Sequence, residues 1–492
     1  MTTTTSATGS VSSLGIGSGL DVNSIISSLM AVESQPLTLL QNKASTINTE
    51  ISAVGQIQSL ASALGDKAQA LSSMTLWSQT ATTSTDTATV TGDTSSGTAV
   101  PGSYDVVVSQ LAKSQTVTST AAAGTTLDSG TLTIQLGTWD STTTPPGFTN
   151  KAGASPTTVT IAPGATSLSA VRDAINAANA GVSASIITDA TGSRLSLRST
   201  DTGAVNGFKI TATEDVDDGN PATGLTALAY DPSTGNAQLQ LNQASTDAMA
   251  TVNGIPVEST TNTLQNVSDG LNLTLMRVNA SPVTVTVAYD TASMQKAVTD
   301  FVSAYTALNA NIHNATKYDG STPPAAGTAR KDGPLEGDPS IIGFQNQLRA
   351  IVNTTSTMSS VFQRLSDIGV SVQSDGSLAA DSTKLQNALA NPAELKKFFT
   401  TVGTTDTDTG VAVRFSNLID GALGPNGSLA SRESGLQGEL SRNQQQQTDM
   451  QTHLDQTQAR LTAQYQALDT TMSKMSALST YVTQQVALMQ KA

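Results

Sequence analysis

The chain has 492 residues, with 24 Lys plus Arg against 38 Asp plus Glu and a formal net charge of −14. At about 100–200 residues per domain this length implies two to four domains, and the acidic balance argues against nucleic acid or an anionic membrane surface as partner. Cysteine is absent, which excludes disulfide scaffolds, thiolate metal sites and cysteine nucleophiles together.

Charged residues make up 13% of the chain and aromatics 3%, while Ser and Thr supply about a quarter, well above ordinary usage. Such a protein stays hydrated through hydroxyls and builds its core from Ala, Val, Leu and Ile. The two histidines, His313 and His453, lie far apart in segments that read as polar helix. They form neither a His-x-His nor an HExxH pattern, so a zinc centre or hydrolase triad has little to start from. No cofactor is expected.

The first residues contain no Lys or Arg before Lys43 and no apolar h-region, so a Sec signal is not expected. The stretch Ser24–Val32 is too short and too serine-rich for a membrane span. Residues 1–36 read as a mobile N-terminal segment, although Asp21 has N-cap chemistry ahead of Ile25, Ile26, Leu29 and Met30. From Leu37 the spacing is helical: Ile47, Ile51, Val54, Ile57, Leu60, Leu64 and Leu71 share one stripe over 37–77. Gly55 and Gly65 weaken that helix by about 1 kcal/mol each.

The character changes near residue 78. After a Thr/Ser-rich stretch to Thr98, short strands are expected at Tyr104–Val108, Leu132–Leu136 and Val159–Ile161. A helix through Leu168, Val171 and Ile175 follows, then strands at Val182–Ile186 and Leu195–Leu197. Asn253-Gly254 is the strongest hairpin signal in the chain, between Ala248–Val252 and Ile255–Glu258. Leu271–Met276 and Val283–Ala288 complete a set of small sandwich- or barrel-like β modules. Residues 78–120 with 245–290 read as one β domain and 121–244 as a second, outer one.

The helical period returns at about residue 291, with Met294, Val298, Phe301, Val302, Tyr305 and Leu308 on one face. Asp338-Pro339 is an N-cap followed by proline at the first helical position. Asn391-Pro392-Ala393-Glu394 has the spacing of a capping box. After residues 291–438, the segment 439–492 has neither Gly nor Pro. In it Leu454, Leu461, Leu468, Met475, Val482 and Met489 recur at seven-residue spacing, which predicts a left-handed coiled coil. Gln458 and Ser479 dilute the second seam. The expected partner is the Leu37–Leu71 helix. The fold class is therefore multidomain α+β: an antiparallel helical bundle or coiled-coil stalk from both termini, with β-rich domains inserted in the middle.

Three features have a plainer reading beside a functional one. The acidic loop Glu214–Asn220 offers hard oxygen ligands but lacks EF-hand spacing, so a solvated turn is expected rather than a calcium site. Asp406–Gly410 has Asn417 where a twelfth-position Glu belongs. Trp77 and Trp139 read as half-buried anchors rather than sugar platforms.

The opening Ser12-Ser13-Leu14-Gly15-Ile16-Gly17-Ser18-Gly19-Leu20-Asp21-Val22-Asn23-Ser24-Ile25-Ile26 closely resembles the start of the flagellar filament cap (FliD) family. Thr251–Val257, Asn266–Leu271, Gly333–Asp338, Ile368–Val370 and Asp375–Leu378 resemble its later pieces. Ile175–Ile186 with Gly192–Leu195 resembles a β-α-β piece shared with flagellins. The resemblance implies a homo-oligomeric, non-enzymatic cap at the distal tip of the filament, with helical legs and a β plate, that captures and polymerises exported flagellin. It further implies export by the flagellar type III route, hook–filament junction proteins as neighbours, and an export chaperone on the C-terminal helix. A surface adhesin that binds glycans through the β domains is the alternative.

Overall fold

The computed structural model describes residues 21–94, 99–120, 127–318, 320 and 332–489. The chain divides into two compact units, residues 1–74 with 293–492 and residues 75–292. The first unit thus draws on both chain ends, and the second on the residues between them.

The helical unit opens with Val22–Glu33 (α1) and Gln35–Ser72 (α2). Asp21 caps α1 through its carboxylate, which accepts from the Ser24 N–H at 3.0 Å. Val22 and Ile26 are buried, and α1 packs on the long C-terminal helix. This corrects the expectation of a mobile segment to residue 36: a capped helix with two buried anchors is ordered from Val22 onward. Gly15, Gly17, Gly19 and Leu20 lie outside the described residues. Pro36 falls in the first turn of α2, where its missing N–H costs nothing, so it starts this helix rather than only ending the one before.

The two α2 glycines differ. A Cβ on Gly65 would stand 3.1 Å from Ile419 Cγ2, whereas nothing lies within 4 Å of one on Gly55. Gly55→Ala is expected to raise stability by about 0.5–1 kcal/mol through helix propensity. Gly65→Ala should gain less or turn destabilising, because Ile419 is buried and has to move. Parallel urea titrations of the two variants decide this, and equal gains would refute the close approach.

The β unit begins with Thr80–Ser84 (β1), Val90–Asp93 (β2), Gly102–Gln110 (β3) and Thr116–Thr118 (β4). Gly130–Asp140 (β5), Gly147–Asn150 (β6) and Thr157–Ile161 (β7) lead to the helix Leu168–Ala177 (α3). Then come Val182–Asp189 (β8), Gly192–Ser199 (β9), Gly207–Glu214 (β10), Tyr230–Asp231 (β11), Asn236–Ala237 (β12) and Gln240–Gln243 (β13). Ala248–Val252 (β14), Ile255–Ser259 (β15), Thr263–Ser268 (β16), Leu271–Leu275 (β17) and Val283–Tyr289 (β18) complete it.

Two cores form within this unit. A sheet of order β1-β18-β3-β14-β15 and another of order β16-β17-β2 share one cluster, in which Val106, Val108, Ala250 and Val285 meet Val90, Leu271, Leu273 and Leu275. Alternate residues of β17 and β18 point inward, the period-2 pattern of a sandwich. The second core joins the sheet β12-β11-β10-β5-β6, with β7 also on β5, to the sheet β13-β4-β9-β8. Val171 and Ile175 of α3 pack into it beside Leu132, Leu195, Leu197 and Phe208. Asn253 and Gly254 both have positive φ, 50° and 80°, and join β14 to β15 with Val252 opposite Ile255. That is the two-residue turn their sequence predicts. Within the Thr/Ser-rich stretch after residue 78, Thr80–Ser84 and Val90–Asp93 are strands: the Thr82 hydroxyl donates to the Gly92 carbonyl and the Thr94 hydroxyl to that of Thr80.

The helical unit resumes with Thr291–Thr316 (α4) and Pro339–Asn353 (α5), then a hairpin of Val370–Val372 (β19) and Leu378–Ala380 (β20). Ser382–Leu389 (α6), Pro392–Thr400 (α7), Val411–Leu423 (α8) and Ser428–Met489 (α9) finish the chain. The periodic residues of α4 are all buried, and Phe415 of α8 meets Phe301 and Tyr305 edge-on at 5.0 and 6.0 Å between ring centres.

The capping box at Asn391 does not form; α7 has no side-chain cap. Glu394 instead accepts from the Ser359 hydroxyl at 2.8 Å, the Ser360 N–H at 3.1 Å and Lys397 Nζ at 2.7 Å. A charged donor and a neighbouring loop outcompete the helix's own backbone. The Lys397 hydrogen bond first, then that of Ser359, hold the Glu394 carboxyl at about 2. Its folded pKa lies below the unfolded one, so its stabilisation is present above the ordinary carboxylate range and is lost as pH falls from there toward 2. Glu394→Gln should therefore flatten the acid limb of the stability–pH curve; a curve superimposable on wild type would refute this.

Candidate functional site

α9 spans 62 residues, about 93 Å at 1.5 Å per residue. It begins at Ser428, eleven residues before the glycine-free stretch that marked it in the sequence, and runs through Gly435 and Gly438. Its first half is packed. Leu429, Leu436, Asn443 and Thr457 are buried, as is Leu454. The first four share one seven-residue register, so two of the positions in this seam are polar.

α2 lies antiparallel on this half. Arg432 pairs with Glu50 at 3.3 Å, and Gln447 Nε2 reaches the Leu40 carbonyl at 3.4 Å. Arg432 Nε also meets Asp338, whose other oxygen caps α5 through the N–H groups of Ser340 and Ile341. One guanidinium thus ties α2, α5 and α9 together. Burial pushes the Glu50 carboxyl above the usual range, against the pull of Arg432. Asn443 Oδ1 accepts from Gln447 Nε2 at 2.6 Å, while its own Nδ2 is buried without a partner among the described residues. Buried polar groups of this kind fix register at a cost in stability.

On α2, Ile47, Val54, Leu64 and Leu71 are buried and Ile51 is half-buried. On α9, Leu454 is buried and Leu461 half-buried, but Leu468, Met475, Val482 and Met489 are 46, 62, 51 and 75% exposed. The expected pairing of this whole series with α2 is therefore corrected. The antiparallel register brings Leu40 to Gln447, so α2 starts opposite the middle of α9. α1 adds 12 residues, about 18 Å of helix, and the apolar series runs on past it. The outer part of α9 shows Met472, Leu478, Tyr481, Val486 and Leu488 exposed as well. Its threonine hydroxyls are spent within the helix: those of Thr470, Thr471, Thr480 and Thr483 each donate to the carbonyl four residues back.

The other candidates fall into place. His313 and His453 are exposed on α4 and α9. Trp77 is fully buried. The partly buried Trp139 donates Nε1–H to the Phe208 carbonyl and packs against the tilted ring of Phe148 and edge-on against Tyr230, so neither ring offers a free platform. The carboxylates of Glu214, Asp217 and Asp218 converge within 4.8 Å. Asp217 and Asp218 each accept from a backbone N–H of their own turn, and Glu214 accepts from Thr226. Asp408 likewise accepts from Thr404 and Thr405 of its own loop. No described helix is long and apolar enough to cross a membrane. The Asn443 and Arg432 positions escaped the sequence reading because their polar side chains broke its apolar pattern.

Residues 245–477 match the model of the flagellar hook-associated protein 2 C-terminus, and residues 18–115 that of its N-terminus. The Escherichia coli K12 flagellar hook-associated protein 2 is 33% identical over 488 residues, 97% of this chain and 98% of that one. The chain belongs to the flagellar hook-associated protein 2 family. The B-type flagellar hook-associated protein 2 of Pseudomonas aeruginosa is 31% identical over 90% of each chain. A crystal structure of the D1-D2-D3 domains of the Escherichia coli flagellar cap protein FliD superposes with a TM-score of 0.58 at 30% identity. It covers 78% of this chain and 99% of that one. Residues 147–201 match the flagellin hook IN motif; they contain α3, β8 and β9, where the sequence resembles flagellins. Hook-associated protein 2 structure and the present fold agree in combining helices with antiparallel sheets.

Proposed function

We propose that this chain caps the distal end of the flagellar filament as a homo-oligomer and promotes the capture, folding and polymerisation of exported flagellin, preventing its loss to the medium. The observation that carries this reading is the match, along nearly the whole chain, to a flagellar hook-associated protein 2 at 33% identity. The work is binding and templating, without bond chemistry. Flagellin arrives with amphipathic helices unpaired, and the exposed apolar series on outer α9 is the kind of surface that pairs with such helices. Ile47, Ile51, Val54, Leu64, Leu71 and Leu454 to Met489 are assigned to the helical legs, and the Gly15, Gly17, Gly19, Leu20 and Asp21 motif to the segment that docks on filament subunits.

Export runs by the flagellar type III route, consistent with a chain free of thiols that oxidise outside the cell. The C-terminal helix is the expected seat of an export chaperone, and hook–filament junction proteins are the expected first neighbours. The comparisons give no support to the adhesin alternative. A deletion strain tests the proposal: bare hooks with abundant soluble flagellin in the medium are expected, and filaments of normal length would refute it.

A further inference from the structure

Arg414 of α8 is 5% exposed, and none of its three guanidinium nitrogens has a hydrogen-bond partner among the described residues. A guanidinium carries five N–H donors and stays charged inside proteins; burial pushes its pKa down here, with Asp406 opposing. A buried charge without a counter-charge or acceptors is costly, so such groups are paired when the protein works.

Beside Arg414 lies a cleft of about 470 Å³ between α5 and the loop that connects α7 to α8. Asp406 is the one carboxylate among its lining residues; its charge acts on Arg414, but among the described residues it accepts no hydrogen bond from the guanidinium. The wall hydroxyls are committed elsewhere: Thr354 donates to the Ala350 carbonyl, Thr404 to Asp408 and Thr409 to the Thr405 carbonyl, and the Thr405 hydroxyl shares a hydrogen bond with that of Thr407. Gln347 and Asn417, whose amides can donate, complete the polar wall. Beside the cleft there is therefore one strong, unused set of donors, and no group among the described residues accepts from it. We propose that this cleft is an oxyanion site, in which Arg414 grips a carboxylate or comparable oxyanion supplied from outside the fold. The planar fork of arginine suits a two-oxygen acceptor. Each nitrogen is individually covered, so the side chain must rotate into the cleft to bind. Two sources offer the same chemistry: a free inorganic oxyanion, or an acidic side chain of a second copy of this acidic chain.

The test uses the full chain. Thermal unfolding in sodium sulfate is compared with sodium chloride at matched ionic strength, and self-association is measured by sedimentation in chloride. A free oxyanion predicts a saturable rise in Tm with sulfate that Arg414→Met abolishes and Arg414→Lys keeps in part. A second copy predicts no sulfate effect, but self-association weakened at least about tenfold by Arg414→Met and partly restored by Arg414→Lys. Arg414→Met removes a buried charge and is expected to fold; if it does not, Arg414→Lys carries both comparisons. The proposal is overturned if neither response depends on residue 414. It is also overturned if Asp406→Asn lowers Tm as much as Arg414→Met, since Asp406 is then the internal partner.

Discussion

A chain ending at Leu461 is expected to unfold within about 2 °C of the full-length protein, yet to leave filaments uncapped in a strain that carries it. The segment removed, 462–492, holds Leu468, Met475, Val482 and Met489, all exposed. Its loss takes almost no apolar area out of the core, so the transfer free energy that holds the fold together is untouched. The lost function follows because the same exposed series is the surface assigned to partner helices. Differential scanning calorimetry and an assay of flagellin in culture medium give the two readings. Filaments of normal length would sink the assignment of the outer helix. A Tm lowered by many degrees would show instead that this segment packs within the isolated protein.

The second large effect concerns the helical core. Phe415→Ala is expected to destabilise the helical unit by about 3–5 kcal/mol, the ordinary cost of deleting a buried phenylalanine ring. Phe415 is fully buried and contacts two further rings, Phe301 and Tyr305, so the site cannot collapse without moving all three. Both tryptophans of the chain, Trp77 and Trp139, belong to the β unit. In a Trp77→Phe background, Trp139 fluorescence reports the outer β core while circular dichroism at the helical band reports the helices. The dichroism transition should move to lower urea and the fluorescence transition should stay. Equal shifts in both would mean that the two units unfold as one.

These outcomes depend on features of unequal legibility. β3, β14, β15, β17 and β18 of the sandwich, α3 and the Asn253-Gly254 turn could be read in advance, because alternating apolar residues and a pair of positive-φ residues are local signals. β1 and β2 could not, since they are short and mostly small or polar, and threonine hydroxyls bridge the two segments, which lie in different sheets. On α9 the apolar heptad drew attention to the outer half, whereas the packed half uses Asn443, Thr457 and Arg432. Nothing in the sequence tells a leucine series that meets its partner within the chain from one that awaits a partner outside it. Glu394 illustrates a similar limit: the capping-box spacing was present, but Ser359 and Lys397 offered better donors. Arg414 looks like any helical arginine, because its burial beside α5 and the loop that leads into α8 is a property of the tertiary fold.

The spent hydroxyls of outer α9 change what that surface is to a neighbour. By composition it is a threonine-rich, wet rod. With Thr470, Thr471, Thr480 and Thr483 bonded to their own backbone, however, what each presents outward is chiefly a methyl group. Moving it from water into a protein groove then strips few hydrogen bonds that the groove must replace. One unchanging helix can therefore settle against grooves of different polarity at similar cost in each.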